Sequence, residues 1–407
     1  MASTTLPCLG WVRGNIRAVV AWISRFFFAL LLLSLAGCTV LQEYLPESDT
    51  SEPPMELVEF VPEIGIEVLW SAKAGKGMQD RYLRLPLSFV DGKVIAADYK
   101  GQVSAFDALT GEPLWETKLD LPITGGPGVG DGLVVVGTED ALVVALDVVD
   151  GSPIWQAAVS SEILSAPGVG GGVVVVRSGD GQIYGLDASS GSRLWVYQRN
   201  VPVLTLRGAA APVIADRKVI MGLAGGKLVA LSLEGGQLLW ERTIVVPRGR
   251  TELDRLVDID SEPKVQGRYL YIVTYNGRVA SVWLADGEVL WTREMSSYAG
   301  IGVDGETVYI TDTEGHIWAL DSRTGASLWR QSKLLRRQPT APVSYQDYIV
   351  VGDLAGYIHW LAKDDGRFVA RTKVEEEKGI VNAPLVVDDI LYVRTQGGVL
   401  KAIKVAD

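Results

Sequence analysis

Few side chains in this 407-residue sequence are equipped for proton transfer, metal binding or nucleophilic attack. There are two histidines, His316 and His359, and two cysteines, Cys8 and Cys38. A histidine pair works as a metal site or an acid/base couple only when further ligands or carboxylates converge on it. His316 and His359 fall on corresponding strands of different repeat units, with no converging set, so both are expected to be structural or surface residues. Both cysteines precede the repeating part of the chain, which leaves it no internal disulfide and no thiolate metal site. Gly168, Gly170, Gly171 and Gly172 have the composition of a phosphate loop, but no helix follows them and a turn is expected. No catalytic residues, metal ligands or cofactor-binding residues are assigned.

The composition points to the elements that would carry any function. Hydrophobic residues make up 48% and charged residues 21%, and the apolar residues come as short Val/Ile/Leu runs separated by Gly and Asp. That pattern fits many short strands. The formal charge is −11, and the first 37 residues hold three arginines and no acid, so the remainder stands near about −14 and repels nucleic-acid phosphate.

Arg13, Arg17 and Arg25 lead into the apolar run Phe26 to Ala36, which is too short to span a bilayer and reads as a signal-peptide core. It ends in Leu35-Ala36-Gly37-Cys38, which resembles the lipobox of bacterial lipoproteins. The resemblance implies removal of residues 1–37 and acylation of Cys38. Thr39, in place of the aspartate that signals inner-membrane retention in Gram-negative lipoproteins, points to the periplasmic face of the outer membrane. Residues 38–63, with Pro46, Pro53, Pro54 and Pro62, are expected to be the lipidated cysteine and a flexible tether.

From residue 64 onward the chain repeats. DALTGEPLWETKL (107–119), DVVDGSPIWQAAV (147–159), DASSGSRLWVYQR (187–199) and DSRTGASLWRQSK (321–333) are copies of one unit, with weaker copies from 232, 283 and 362. The indexed residues are Trp115, Trp155, Trp195, Trp240, Trp291 and Trp329, with Ala370 in the seventh place. Their spacing of 40, 40, 45, 51, 38 and 41 residues is that of a four-stranded propeller blade. Eight apolar runs each lead through a Gly/Asp turn into a second strand, and an inner strand, often marked by proline, precedes each pair. The eighth hairpin ends at the C-terminus without an outer strand. Residues 66–72, IEVLWSA, place Trp70 45 residues before Trp115 and can supply it. The expected fold is therefore all-β: an eight-bladed β-propeller of four-stranded antiparallel blades over 64–407, the last blade closed by the N-terminal strand. Closure removes edges that would invite aggregation.

In each unit the Asp-x-x-Thr-Gly segment should form a tight turn and the following Trp should pack between blades, removing 150–250 Å² from water. The Ala-x-Asp-x-x-Thr-Gly-x-x-Leu-Trp pattern at Ala105 to Trp115 and Ala319 to Trp329 resembles the repeat of quinoprotein dehydrogenases. Such an enzyme would need a calcium site, a general base and usually a vicinal cysteine pair. The cysteines are absent and most blades are minimal, so no cofactor is expected and enzyme activity is the alternative reading.

The two long spacings fall in neighbouring outer-to-inner connections on one face, at 199–208 and 245–262, where a minimal turn would suffice. Both carry the apolar and charged residues a protein-binding patch needs. With the lipobox, the tether and the blades, the segments Leu204-Thr205-Leu206-Arg207-Gly208, Thr251 to Leu256 and Asp258-x-Asp260 resemble the BamB family, the propeller lipoproteins of the outer-membrane β-barrel assembly machinery. GDLAGYIHWLAKDDGRFVA (352–370) is similar to that family as well. The resemblance implies a non-catalytic scaffold that binds the barrel subunit BamA through its POTRA domains, assists insertion of outer-membrane proteins, and has unfolded barrel substrates as a further candidate partner. Carried over residue by residue, the family's BamA contacts fall on Leu204, Leu206 and Arg207 in one connection and on Asp258 and Asp260 in the next.

Overall fold

The computed structural model describes residues 52–78, 81, 83–199, 210–248, 250–251 and 255–406. Cys38 and residues 200–209 lie outside them. From Pro54 to Asp407 the chain is one compact unit of eight four-stranded antiparallel sheets. Seven sheets are built from consecutive strands. The eighth has the order Ile66–Lys73, Val399–Val405, Ile390–Arg394, Leu385–Val387, so the N-terminal strand is the outer strand of the C-terminal blade. The eight blades and the shared closure are those expected from the spacing. Among the described residues there is no helix.

The middle strands of each blade are largely apolar because both faces pack against neighbouring blades. Leu133–Thr138 is buried at every position, which is the composition a doubly covered strand requires. Outer strands instead alternate, as in Pro113–Lys118, where Leu114 is exposed and Trp115 is half-buried.

The repeated tryptophan is the main connection between blades. Except at Trp240, whose indole N–H has no partner, the indole donates to a carbonyl in the third-to-fourth turn of the next blade: Trp70 to Ala108 at 2.9 Å, Trp155 to Ala188 at 2.8 Å, Trp291 to Ser322 at 2.9 Å and Trp329 to Lys363 at 2.7 Å. The turn glycine serves this contact directly. Gly325 has φ of 71°, and a Cβ there would lie 2.6 Å from the Trp291 ring. Only glycine therefore supplies both the left-handed backbone and the room for the indole. Across its own ladder each of these tryptophans faces a small residue, Ala105, Ala145, Gly185, Ala230, Ser281, Ala319 or Ala402. Blade seven inverts the pair, with Ala370 on the outer strand facing Trp360. Trp360 is 1% exposed and fills the space between blades seven and eight.

Residues 55–63, placed in the tether by the sequence, lie along blade seven. The Met55 N–H donates to Leu335 O at 3.1 Å and the Glu63 N–H to Val369 O at 2.8 Å. Leu57, Val58 and Phe60 pack on the core between blades six and seven. The packed body thus reaches further toward the N-terminus than residue 64.

Candidate partner-binding face

The face that could hold a partner is built on the second-to-third strand turns, and each turn needs its backbone N–H groups satisfied. The residue ending the second strand does this in most blades. Asp98 accepts the N–H of Gln102 at 2.9 Å, Thr138 that of Leu142 at 3.0 Å, Thr274 that of Arg278 at 2.7 Å, Asp312 that of His316 at 2.9 Å, Asp353 that of Tyr357 at 2.9 Å and Thr395 that of Val399 at 3.1 Å. In blade three Ser178 bonds the carbonyl of Gln182 instead. Blade four has Leu223 at this position and cannot cap its own turn.

Asp258 supplies what blade four lacks. It is 3% exposed, and its Oδ1 accepts the Gly225 N–H at 2.9 Å. Its carbonyl accepts the Tyr275 N–H in blade five at 3.0 Å. Leu256, Val257 and Ile259 are buried beside it, and Ile259 sits where a Cβ on Gly222 would be, at 2.3 Å. The returning half of the 245–262 connection is thereby sewn into blades four and five, while Val246 on its outgoing half is 61% exposed. The start of the other connection is pinned by Arg199, which reaches Glu241 at 3.0 Å, and Lys227 meets the same carboxylate at 2.8 Å. The Lys227 hydrogen bond above all, with the Arg199 charge, holds Glu241 below its usual carboxylate range against the opposing effect of burial.

Asp260 is the second aspartate of the pair. Burial first, then the neighbouring Asp258 charge, pushes its carboxyl up to about 6, while Arg177 and Arg84 pull it down. Its Oδ2 is buried with no hydrogen-bond partner. Arg177, 8% exposed, donates to Gly222 O of blade four at 3.1 Å. Arg394, at the same position of blade eight, donates to Ala97 O of blade one. The face thus carries cationic staples between adjacent blades, and Arg84 crosses from the blade-one entry to the Tyr298 carbonyl.

The structure brings Asp258 and Asp260 to the base of the second enlarged connection; Leu204, Leu206 and Arg207 lie outside the described residues. The capping role of Asp258 was missed in the sequence. Its signal was Leu223, an apolar residue where the other seven hairpins have Asp, Ser or Thr. Replacing Asp258 with alanine is expected to strand the Gly225 N–H and to weaken this region by about 1–3 kcal/mol. Hydrogen exchange should then quicken at 223–226 and 256–259 only; unaltered exchange there would remove the cap from the account.

The two histidines do not approach a metal site. His316 bonds Asp312 at 2.9 Å, and His359 is fully buried between Asp353 and Arg371. No group of three or more His, Cys, Asp or Glu able to hold a metal ion occurs among the described residues. Arg84, Tyr298, Thr340, Ile380 and Gln396 line a small cavity of about 90 Å³.

Eight four-stranded blades with indole and arginine bonds between neighbours define the class as an eight-bladed β-propeller with quinoprotein-like repeats. A sequence profile described as outer membrane protein assembly factor BamB matches residues 99–331 and 323–407. The outer membrane protein assembly factor BamB of Pseudomonas aeruginosa is 51% identical over 377 residues, covering 92% of this chain and 97% of its own length. That of Yersinia pestis is 38% identical, covering 90% and 95%. The crystal structure of BamB from Moraxella catarrhalis superposes with a TM-score of 0.77 at 30% identity, over 83% of this chain and 99% of that one. The chain belongs to the BamB family of outer-membrane protein assembly factors. Quinohemoprotein alcohol dehydrogenase from Comamonas testosteroni shares the fold, with a TM-score of 0.68 at 13% identity over 86% of this chain and 78% of its own.

Proposed function

We propose that this protein is a non-catalytic scaffold subunit of the outer-membrane β-barrel assembly complex, binding the POTRA domains of BamA and assisting insertion of outer-membrane proteins. Acylated Cys38 would hold it at the periplasmic face of the outer membrane. The observation that carries this reading is the 245–262 connection. A loop serving only to link two blades needs neither its length nor the two-blade anchoring that Asp258 provides. A prepaid, rigid loop base lowers the ordering cost of binding.

Leu204 and Leu206 are the apolar anchors of the proposed contact and Arg207 its orienting charge. Asp258 and Asp260 act from beneath, Asp258 by fixing the backbone and Asp260 by setting the local charge. Buried anchors of this kind each contribute about 2 kcal/mol or more. Leu206→Ala combined with Arg207→Ala is therefore expected to abolish co-purification with BamA from solubilised membranes while circular dichroism stays that of the intact propeller. Undiminished co-purification would refute this contact site.

A further inference from the structure

We propose that residues 55–63 form a proton-sensitive strap on blade seven, docked only while His359 is neutral and released when it takes up a proton. Two of the strap's carbonyls are held by arginines that converge on this histidine. Arg337 donates to Met55 O and Arg371 to Val58 O, each at 3.1 Å, and Phe60 stacks on Phe368 at 5.6 Å. The Arg371 guanidinium also lies 5.0 Å from the Phe60 ring centre.

His359 decides where Arg371 points. Its Nδ1 accepts the Arg371 Nε–H at 3.2 Å, and its Nε2 faces Asp353 Oδ2 at 3.1 Å. Arg337 donates to the same Asp353 oxygen at 2.7 Å. Nδ1 can accept from Arg371 only without a proton, so the observed arrangement requires the neutral ring with its proton on Nε2. A second proton would turn Nδ1 into a donor facing a donor and would add a positive charge beside two arginines.

The charged groups bearing on the ring are Asp353 from the hairpin turn, Arg371 from the outer strand and Arg337 from the blade-six connection. Glu59 of the strap and Tyr357 act on Arg371 from further out. Burial, opposed by Asp353, holds His359 below its ordinary value. Burial opposes the shift of Asp353, but the His359 hydrogen bond and charge, with Arg337, keep that carboxyl below its usual range. Glu63, paired with Arg367 at 2.9 and 3.0 Å, is also held low by that hydrogen bond. Neither carboxylate changes charge near neutrality.

A base with a lowered folded pKa contributes stability that is complete above its free value and is lost as pH falls below it. Docking should therefore weaken as pH falls through the range in which His359 of the undocked state takes up its proton, by at most about tenfold per pH unit. Release frees nine residues and lengthens the N-terminal arm by at most roughly 30 Å.

Hydrogen exchange of the full-length protein between pH 5 and 7.5, corrected for the intrinsic pH dependence, tests this. Protection of 55–63 is expected to fall with pH while that of 307–321 in blade six holds. Glutamine at 359 offers a donor and an acceptor but does not titrate, so His359→Gln should keep the strap docked throughout. The chain has only two histidines, so the His359 ring resonances can be followed directly in the wild type should the variant not fold. Strap protection that ignores pH, release in His359→Gln matching the wild type, or release that does not track the His359 titration would each overturn the proposal.

Discussion

Replacing Trp70 with alanine is expected to open the ring at blade eight and to cost about 3–5 kcal/mol, the usual range for removing a buried indole. Trp70 is 9% exposed, donates to Ala108 in blade one and lies 5.9 Å from the Tyr392 ring. It also faces Gly111, whose Cα would carry a Cβ 2.4 Å from the indole. The same substitution at Trp115 removes a similar contact, but there the outer strand continues covalently from its own blade. The Trp70 strand has no such turn to the rest of its blade and is joined to it through the ladder from Ile66–Lys73 to Val399–Val405. Trp70→Ala should therefore show early protease cleavage before residue 74 and a tendency to associate through the freed edge of 399–405, neither of which Trp115→Ala should show. Denaturant titration and limited proteolysis of the two variants make the comparison. Identical behaviour would mean that closure depends on the ladder alone.

The inverted pair in blade seven gives the second large effect. Ala370→Trp would set one indole against another across the ladder from Trp360, and overpacking of that kind costs about 1–3 kcal/mol. Trp360→Ala would leave a cavity worth about 3–5 kcal/mol between blades seven and eight. The double variant restores one indole facing one alanine across the ladder, although blade eight offers no turn to receive it, so its loss should be smaller than that of Trp360→Ala alone. Unfolding free energies of the four proteins give the coupling directly. Additive losses would show that the two positions do not share one space.

The inversion also shows where the sequence was legible. Trp and Gly spacing revealed the blade count and the closing strand because the indole and the turn glycine form one contact, and that contact imposes a period. Ala370 looked like a weakened copy. Its reason is that blade eight, assembled from both chain ends, has no third-to-fourth turn to receive an indole from blade seven. Tyr345 makes connections there instead, donating to Asp389 O at 2.8 Å and accepting the Val405 N–H at 3.1 Å.

Other features left weaker traces. Asp258 was read as a partner contact and its cap went unseen, because Gly225 belongs to a different repeat unit and the role appears only once Leu223 is compared with the other seven hairpins. The strap was read as tether because its composition is that of a linker, with Pro53, Pro54 and Pro62. It is held through its backbone carbonyls by arginines about 300 residues away, at sequence separations of 282 and 313. No local pattern announces bonds of that range. His359 looked structural, and it is, but its position between Asp353 and Arg371 follows from the tertiary packing.

Because the last blade takes its outer strand from the N-terminal end and its other three from the C-terminal end, as with Lys73 donating to Gly397 across 324 residues, the molecule cannot be finished while any of it is still being made. The first strand waits, unpaired, through the synthesis and export of everything that follows, and a chain stopped early has nothing to lay it against. Completion is thus reported by a single late pairing, and partial products carry a free sticky end that proteases and chaperones can recognise.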